Sequence, residues 1–321
     1  MLDLSKVRSP ISWPQCRGDI ANEVREVLGT LPKEKVELQL KTVDEIDYPG
    51  YVRRRVNYFV DSWTRISAWL FLPEGKDEAP GILCCHQRVP QGKDEPAGKS
   101  GDPMLYHAQR YAEMGYVAIA PDCITAGDRV LARKEPYDTR TFYKDSSKMS
   151  LAGKMLWDHM QGISVLEELK RVDPARIGVI GHGMGGTNAL FLAAFDNRIQ
   201  ACVSSCGFSR FEKDMNKARW HDDDNMQYMP KLEEAFKAGG PEFDWEHILA
   251  LAAPSPTLLL NTLSNSEFDN PKSCDKAFKQ AKKIYKALGA ESALDYYSHH
   301  DGHAMNRDLM DMADDWFDRW L

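Results

Sequence analysis

The sequence predicts an α/β protein with a mostly parallel sheet that helices cover on both faces. Two observations support this fold class. From residue 81 onward, short apolar runs alternate with stretches of helical periodicity, and a glycine-rich corner at residues 181–186, Gly-His-Gly-Met-Gly-Gly, joins one apolar run to one helical stretch. The chain has 321 residues, of which 43% are hydrophobic, so it contains enough apolar material for a large core.

The elements follow from the spacing of apolar residues. Residues 1–35 are weakly patterned and predict an N-terminal arm with a short helix near 20–28, followed by one domain over 36–321. Alternation and short apolar runs predict strands at residues 36–42, 64–72, 81–85, 116–120, 177–180, 199–204, 257–260 and 294–298. Apolar residues three and four apart predict helices at residues 103–113, 151–169, 187–195, 275–288 and 305–320.

One connection is too long for a plain crossover. Residues 207–248 join two strands of the predicted sheet, and we expect them to form a small cap over its C-terminal edge, where open α/β sheets bind ligands. In this cap, Trp220 and His221 are candidates for substrate binding, and the alternative is a solvated loop. Candidates on the loop after residues 116–120 are Asp122, Asp128 and Arg129, for which the alternative is a loop salt bridge.

Composition and charge exclude several classes of function. A net charge of −7 without a basic block argues against nucleic acid as a partner. Seven cysteines, an odd number without a CxxC pair, predict a reduced protein without a zinc site. No apolar leader or membrane-length run occurs, so we expect a cytoplasmic protein that takes a small-molecule substrate and needs no metal or cofactor. The expected partners also include a homo-oligomer of unspecified size.

The glycine-rich corner has the form of the nucleophile elbow Gly-x-Ser-x-Gly with one change. The position at which a serine would attack is Gly183, which has no side chain. A covalent acyl-enzyme at residue 183 is therefore excluded. Cys84 or Cys85 could replace the nucleophile, but adjacent strand residues face opposite ways, so at most one of them points to the site.

With these motifs the chain resembles the α/β-hydrolase superfamily, in the branch of dienelactone hydrolases and acetyl xylan esterases. The resemblance runs from about residue 55 to the end of the chain. The segments that carry it are residues 83–87 (LCCHQ), 120–122 (APD), 157–160 (WDHM), 176–182 (RIGVIGH) and 301–304 (DGHA). It implies the α/β-hydrolase fold, with the nucleophile, the acid and the histidine in that chain order.

The resemblance also implies roles for individual residues. His303 occupies the histidine position after the last strand. The acid position falls on Asn265, three residues before Phe268, and the flanking Glu267 or Asp269 could substitute for it. The oxyanion hole would be formed by the backbone amide of Met184 together with that of His86 or Gln87. Neither amide depends on a side chain at position 183.

Three accounts of function remain open. In the first and favoured one, the chain is an enzyme that acts on an ester, lactone or related carbonyl substrate. His303 serves as its general base, the backbone oxyanion hole stabilises charge, and no covalent serine takes part. In the second it is an inactive pseudoenzyme or a ligand-binding protein. In the third it is an engineered, nucleophile-free variant of a serine esterase. Within the first account, hydrolysis, elimination, cyclisation and carbon–carbon cleavage stay open, and so does the substrate.

Overall fold

The strands form one mixed sheet in the computed structural model, which describes residues 2–7, 9–32, 36–75, 78–145, 148–263 and 271–321. The described strands are β1 (Lys41–Tyr48), β2 (Tyr51–Phe59), β3 (Arg65–Pro73), β4 (Ala79–Cys85), β5 (Val117–Pro121), β6 (Val172–His182), β7 (Ala201–Ser205), β8 (Thr257–Thr262) and β9 (Leu294–His299). Their order is β1-β2-β3-β5-β4-β6-β7-β8-β9. Strands β1, β2, β3 and β5 pair antiparallel in that order, and the pairs from β5 across to β9 are parallel.

Helices cover both faces of the sheet. The described α-helices are α1 (Trp13–Leu28), α2 (His107–Glu113), α3 (Arg140–Asp145), α4 (Leu151–Glu168), α5 (Met184–Phe195), α6 (Ala218–His221), α7 (Lys231–Lys237), α8 (Trp245–Leu251), α9 (Pro271–Ala287) and α10 (Arg307–Trp320). Apolar side chains of α2 and α10 form the core on one face, and those of α1, α4, α5, α8 and α9 form the larger core on the other. This is the α/β-hydrolase architecture that the sequence predicts.

The N-terminal helix and the first strands differ from the sequence-based expectation. Helix α1 is longer than predicted and packs into the larger core through buried Ile20 and Val24. The strand expected at 36–42 begins only at Lys41, and residues 36–40 lie outside the strand ladder. The residues of β1 are exposed along nearly its whole length. The turn between β1 and β2 contains Gly50, whose φ of +89° is readily accessible only to glycine.

The parallel arrangement decides where a site can form. Strands β4, β6 and β9 run in the same direction, so the loops that follow them meet at the C-terminal edge of the sheet. Residues 207–248, the expected cap, lie between β7 and β8 and include α6 and α7. None of the described helices is long and apolar enough to span a bilayer.

Candidate active site

The corner between β6 and α5 is a tight strand-to-helix turn. Gly183 stands at its apex with φ +54° and ψ −124°, a backbone conformation that L side chains rarely adopt. Its N–H donates to the Ser205 carbonyl (2.8 Å), and its own carbonyl accepts from the Thr187 N–H (3.0 Å). Both peptide groups of the apex are therefore fixed by neighbouring backbone, and the turn keeps its shape without a side chain at residue 183.

Two neighbouring glycines allow the close approach of strands and helix at this corner. A Cβ on Gly181 would lie 2.2 Å from the Gly185 carbonyl group, and one on Gly185 would lie 2.3 Å from the Cys85 carbonyl oxygen. Both distances are far inside van der Waals contact with backbone atoms. A side chain at Gly181 would push α5 away from β6, and one at Gly185 would push α5 away from β4, so steric contact requires glycine at both positions.

His303 lies directly over Gly183. The loop between β9 and α10 carries it, and an ideal Cβ built on Gly183 would be 3.0 Å from His303 Nε2 and 3.3 Å from Cε1. We expected room for one water molecule or one hydroxyl group between the Gly183 Cα and the imidazole. The imidazole instead approaches the position of the missing Cβ itself, because no serine side chain keeps it away.

A second histidine supports the first. The rings of His182 and His303 are in tilted contact, with centroids 4.4 Å apart, and His182 Nδ1 is hydrogen-bonded to Ser205 Oγ at 2.9 Å. Burial, and then the neighbouring His303, hold the pKa of His182 well below its ordinary value. His182 is thus a neutral ring that packs behind the histidine at the expected catalytic position.

The loop after β4 is held by buried hydrogen bonds. His86 is 2% exposed; its Nε2 accepts the Cys123 N–H (2.9 Å), so its Nδ1–H donates to the Gln87 carbonyl (2.7 Å). Burial lowers the pKa of His86, which agrees with a neutral ring in this tautomer. The Tyr137 hydroxyl also donates to the Gln87 carbonyl, at 3.2 Å. The His86 side chain therefore braces the loop, whereas Gln87 reaches the cavity described next.

A cavity of about 320 Å³ opens above Gly183, between the sheet edge and the cap. Its floor contains Gly183, Met184 and His303, and the loop after β4 contributes Gln87 and Arg88. The remaining lining residues come from α5, α6 and the cap, namely Thr187, Arg219, Trp220, Asp223, Met226 and Tyr228. A closed core of side chains does not fill this space, so the site keeps a pocket for a small molecule.

Charged groups surround the mouth of this cavity. Arg88 forms an ion pair with Asp223 of the cap, and its Nη2 also donates to the Asp223 carbonyl at 3.3 Å. Arg219 lies 3.5 Å from Asp214, a carboxylate that also accepts from the Trp220 indole N–H at 2.7 Å. The Arg88–Asp223 pair therefore joins the cap to the loop after β4, whereas the contacts of Asp214 lie within the cap.

Several residues that the sequence suggested for substrate binding lie elsewhere, in buried ion pairs. Lys93 Nζ contacts Asp122 Oδ2 at 2.6 Å and Asp128 Oδ2 at 2.8 Å, and Arg129 Nη1 contacts Asp158 Oδ2 at 2.7 Å. None of these lines the cavity. For Asp122, Asp128 and Arg129 the structure thus favours the alternative of a loop salt bridge, because each has an opposite charge beside it. Asp122 and Arg129 are paired in the interior, whereas Asp128 is half exposed.

The remaining expected site residues divide into three groups. Trp220 lines the cavity, but His221 does not, and its ring instead contacts Phe236 with centroids 6.0 Å apart. The acid position, Asn265 with its alternatives Glu267 and Asp269, lies outside the described residues. Sequence reasoning missed the lining residues Arg88, Thr187, Arg219, Met226 and Tyr228. The position of Arg88 directly after Gln87, a residue already singled out, was the one available signal.

The chain lacks an evident replacement nucleophile in the described cavity wall. Cys84 and Cys85 are buried in the two different cores, and burial raises the pKa of both thiols. The hydroxyl groups among the lining residues belong to Thr187, which donates to the Gly207 carbonyl, and to Tyr228, which donates to Asn188 Oδ1 at 2.9 Å. Among the described residues, no cluster of His, Cys, Asp and Glu side chains is suited to a metal ion.

The elbow, the histidine after the last strand and the cap over the C-terminal edge define the class of this protein as an α/β hydrolase. Solved structures agree at the level of fold. A glucuronoyl esterase from Solibacter usitatus superposes with a TM-score of 0.76 at 16% identity, covering 97% of this chain and 93% of that one. A provisionally assigned acetyl xylan esterase from Bacteroides fragilis gives 0.71 at 19% identity, covering 92% and 80%.

Within that class, residues 66–224 of this chain match the model of the dienelactone hydrolase family. This match includes the elbow and ends before His303. YtaP of Bacillus subtilis (strain 168), provisionally named a hydrolase, is 26% identical over 213 residues, which span 65% of this chain and 66% of YtaP. The quorum-quenching protein AidA of Acinetobacter baumannii is 25% identical over 145 residues, 45% of this chain and 41% of AidA. The matched stretches thus cover less than two thirds of either relative.

Proposed function

We propose that this protein hydrolyses a small carboxylic ester or lactone by direct attack of water, with His303 as the general base. The family match supports a hydrolase, and the mechanism follows from the site. The observation that carries the proposal is the position of His303 Nε2, 3.0 Å from where a Cβ of residue 183 would be, at the floor of an open cavity. His303 thus occupies the position of the base in a hydrolase triad, and residue 183 has no side chain for it to activate.

In the proposed mechanism, the substrate carbonyl lies above Gly183 and its oxygen faces the amides of Met184 and Gln87. Met184 begins α5, and first-turn amides of a helix have no acceptor within the helix. Donors of this kind contribute about 2.7–4 kcal/mol each to acyl transfer. His303 takes a proton from water as the water attacks the carbonyl carbon, and returns that proton to the leaving alkoxide. No bond to the protein forms.

The nearby hydroxyl groups favour water over a covalent intermediate. Thr187 and Tyr228 both donate to protein acceptors, so each hydroxyl proton is already committed. Neither donates to His303. A general base contributes roughly 10²–10⁴-fold, and the oxyanion amides add to this. A modest esterase or lactonase without an acyl-enzyme is the activity that these groups support.

The test is hydrolysis of small aryl esters, alkyl esters and lactones by the native chain and by His303→Ala. The substitution should reduce kcat by about 10²–10⁴-fold, whereas His300→Ala, on the same loop but exposed, should change it little. Acid-quenched intact mass should show no acyl adduct. Equal activity of His303→Ala and the native chain, or an adduct on Thr187 or Tyr228, would reject the mechanism. Ligand binding without turnover of any ester or lactone would identify a binding protein instead.

A further inference from the structure

A buried carboxyl group lies behind the cavity wall. Glu95 belongs to the loop between β4 and α2 and is 2% exposed. Its Oε1 accepts from the side-chain Nε2 of Gln87 at 3.1 Å and from the Asp102 N–H at 3.3 Å. Gln87 itself lines the cavity next to Gly183. One hydrogen bond therefore connects a group away from solvent to a side chain that a substrate would meet.

The loop closes tightly on this carboxyl group. Gly101 has φ +98°, and a Cβ there would lie 2.6 Å from Glu95 Oε1. Nearby cations are committed elsewhere: Lys93 pairs with Asp122 and Asp128, and Arg53 Nη1 donates to the Ala97 carbonyl. Within the described part of the chain, no lysine or arginine forms an ion pair with Glu95. Its amide partners therefore take the place of a counter-cation.

The backbone of Gln87 cannot turn, but its side-chain amide can. The Gln87 carbonyl accepts from His86 Nδ1 and from the Tyr137 hydroxyl, which fixes the peptide group. The side-chain amide has a donor end and an acceptor end, and its partner decides which end faces it. Because Nε2 donates to Glu95, the acceptor end, Oε1, is the one that remains for the cavity.

We propose that Glu95 is a positioning residue that sets which end of the Gln87 amide serves the substrate. As a carboxylate, Glu95 accepts from Gln87 Nε2, and Gln87 Oε1 then accepts from a hydroxyl group of the substrate. When Glu95 takes a proton from solvent it becomes a donor, the amide turns over, and Nε2 faces the cavity. The preferred substrate at neutral pH is thus an ester with a hydroxyl group near the scissile carbonyl, an inference that rests on the proposed function.

The surrounding charges set the direction of the pH dependence. Burial, the largest effect, raises the pKa of Glu95 above its ordinary value; the Gln87 and Asp102 hydrogen bonds oppose this, and the Asp102 carboxylate adds to it. The charged groups of the adjoining elements have partners of their own. Asp94 bonds to Trp69 and Lys99, Arg88 pairs with Asp223, and His303 lies on the cavity floor. The amide should therefore turn over at a higher pH than an exposed glutamate would titrate.

Glutamine side-chain NH₂ resonances test this without any substrate. In protein labelled with ¹⁵N-glutamine and assigned with Gln87→Leu, the Gln87 resonances should titrate with a midpoint above 4.5, and Glu95→Gln should abolish that titration. Gln109, which donates to exposed Glu113 at 2.9 Å on α2, is the control within the same molecule, and its titration should persist. Gln87 resonances that do not titrate, or that titrate equally in Glu95→Gln, would overturn the proposal.

Activity gives an independent readout. Ethyl lactate and ethyl propionate differ by one hydroxyl group, so the ratio of their kcat/KM values measures the contact with Gln87 Oε1. Glu95→Gln can donate to Oε1 and should lower this ratio by about 5- to 10-fold, the value of one hydrogen bond. An unchanged ratio with both esters hydrolysed would reject the specificity role alone. If neither ester is hydrolysed, the proposed function fails, and the NMR titration still decides the role of Glu95.

Discussion

At the scale of single residues, the proposed chemistry rests on Gly183 and His303. The elbow holds Gly183 at φ +54° and ψ −124°, the strained conformation that the fold ordinarily imposes on its nucleophile. A non-glycine residue there costs of order 1–3 kcal/mol, and here the glycine removes that cost along with the hydroxyl group. The backbone thus keeps the geometry of a nucleophile elbow after the nucleophile has gone.

Gly183→Ser should restore a covalent esterase. The new Cβ would contact His303 Nε2 at 3.0 Å, so the imidazole must retreat by a few tenths of an ångström, to a position where Nε2 accepts from the serine hydroxyl. We expect new hydrolysis of activated esters and labelling of residue 183 by organophosphonate probes, read by peptide mass spectrometry. The native chain is the control and should not be labelled at the elbow. Normal folding without labelling would show that the pocket is not built for acyl transfer.

Adding Asn265→Asp to Gly183→Ser should raise that activity further. An aspartate fixes the tautomer of the catalytic histidine and stabilises the imidazolium, a contribution of about 10⁴ in turnover in the Ser-His-Asp triad. The two changes should be strongly non-additive, because triad members act as a unit. The double-variant cycle in kcat measures this. Additive effects, or a larger gain with Asn265 unchanged, would place the acid at Glu267 or Asp269.

At the scale of elements, the contact of α5 with β4 decides the shape of the elbow. Gly185→Ala would set a methyl group 2.3 Å from the Cys85 carbonyl oxygen, and since backbone cannot move aside, we expect a loss of at least 3 kcal/mol in unfolding free energy. Gly18→Ala in α1 is the matched control, because nothing lies within 4 Å of its Cβ position. It should stabilise by about 0.5–1 kcal/mol through helix propensity. Urea unfolding of both variants checks the difference, and a neutral Gly185→Ala would contradict the packing.

The cap is joined to the loop after β4 by the ion pair of Arg88 and Asp223. Both side chains are about one third exposed, so the pair contributes little to global stability, about 0–1 kcal/mol. Its effect should be local. Asp223→Ala should speed amide hydrogen exchange in residues 222–229 several-fold with an almost unchanged unfolding midpoint, whereas Asp222→Ala, at an exposed neighbour, should leave exchange in that segment as it is. Unchanged exchange in Asp223→Ala would mean that apolar contacts alone hold the cap.

At the scale of the whole molecule, a buried acidic cluster predicts a pH dependence of stability. Asp244 begins α8 and accepts from the N–H groups of Phe211, Glu212 and Trp245. Burial, and then Glu246, raise its pKa to about 6 from an ordinary value of 3.8. Between these two values the native state holds a proton that the unfolded chain has lost. The free energy of unfolding therefore falls as pH rises from about 4 to 6.

Asp244→Asn should remove that dependence, since asparagine does not titrate. Its one oxygen can still accept from Phe211 and Trp245, which share Oδ1, and losing the Glu212 N–H bond costs the same at every pH. The unfolding free energy of the variant minus that of the native chain should rise by about 1–3 kcal/mol from pH 4.5 to pH 7.5, measured by urea unfolding. Asp138→Asn is the control, because Arg140 holds the pKa of Asp138 below its ordinary value and its loss should cost the same at both pH values. A parallel shift for Asp244→Asn at both pH values would contradict the prediction.

The sequence by itself determined the fold class, the elbow and the histidine after the last strand, because each follows from the order of residues that are close together in the chain. An apolar run, a glycine-rich corner and a helical period identify β6, the turn at Gly183 and α5 without knowledge of any distant residue. The same logic placed His303 on the loop before α10. It failed at the first strand. Apolar alternation predicted a strand at 36–42, whereas β1 begins at Lys41 and carries no buried alternation that could have located it, because it is an exposed edge strand.

Only the tertiary structure decided which polar side chains line the cavity and which form ion pairs in the interior. Asp122 and Arg129 have the sequence positions of substrate ligands, but Lys93 and Asp158 neutralise them in the interior. Glu95 has no sequence signal, and it acquires its place because the loop closes at Gly101 and brings it to Gln87. The physical reason is that burial makes an unpaired charge costly, so a charge's role depends on the partner that the fold brings to it, and such partners are distant in sequence.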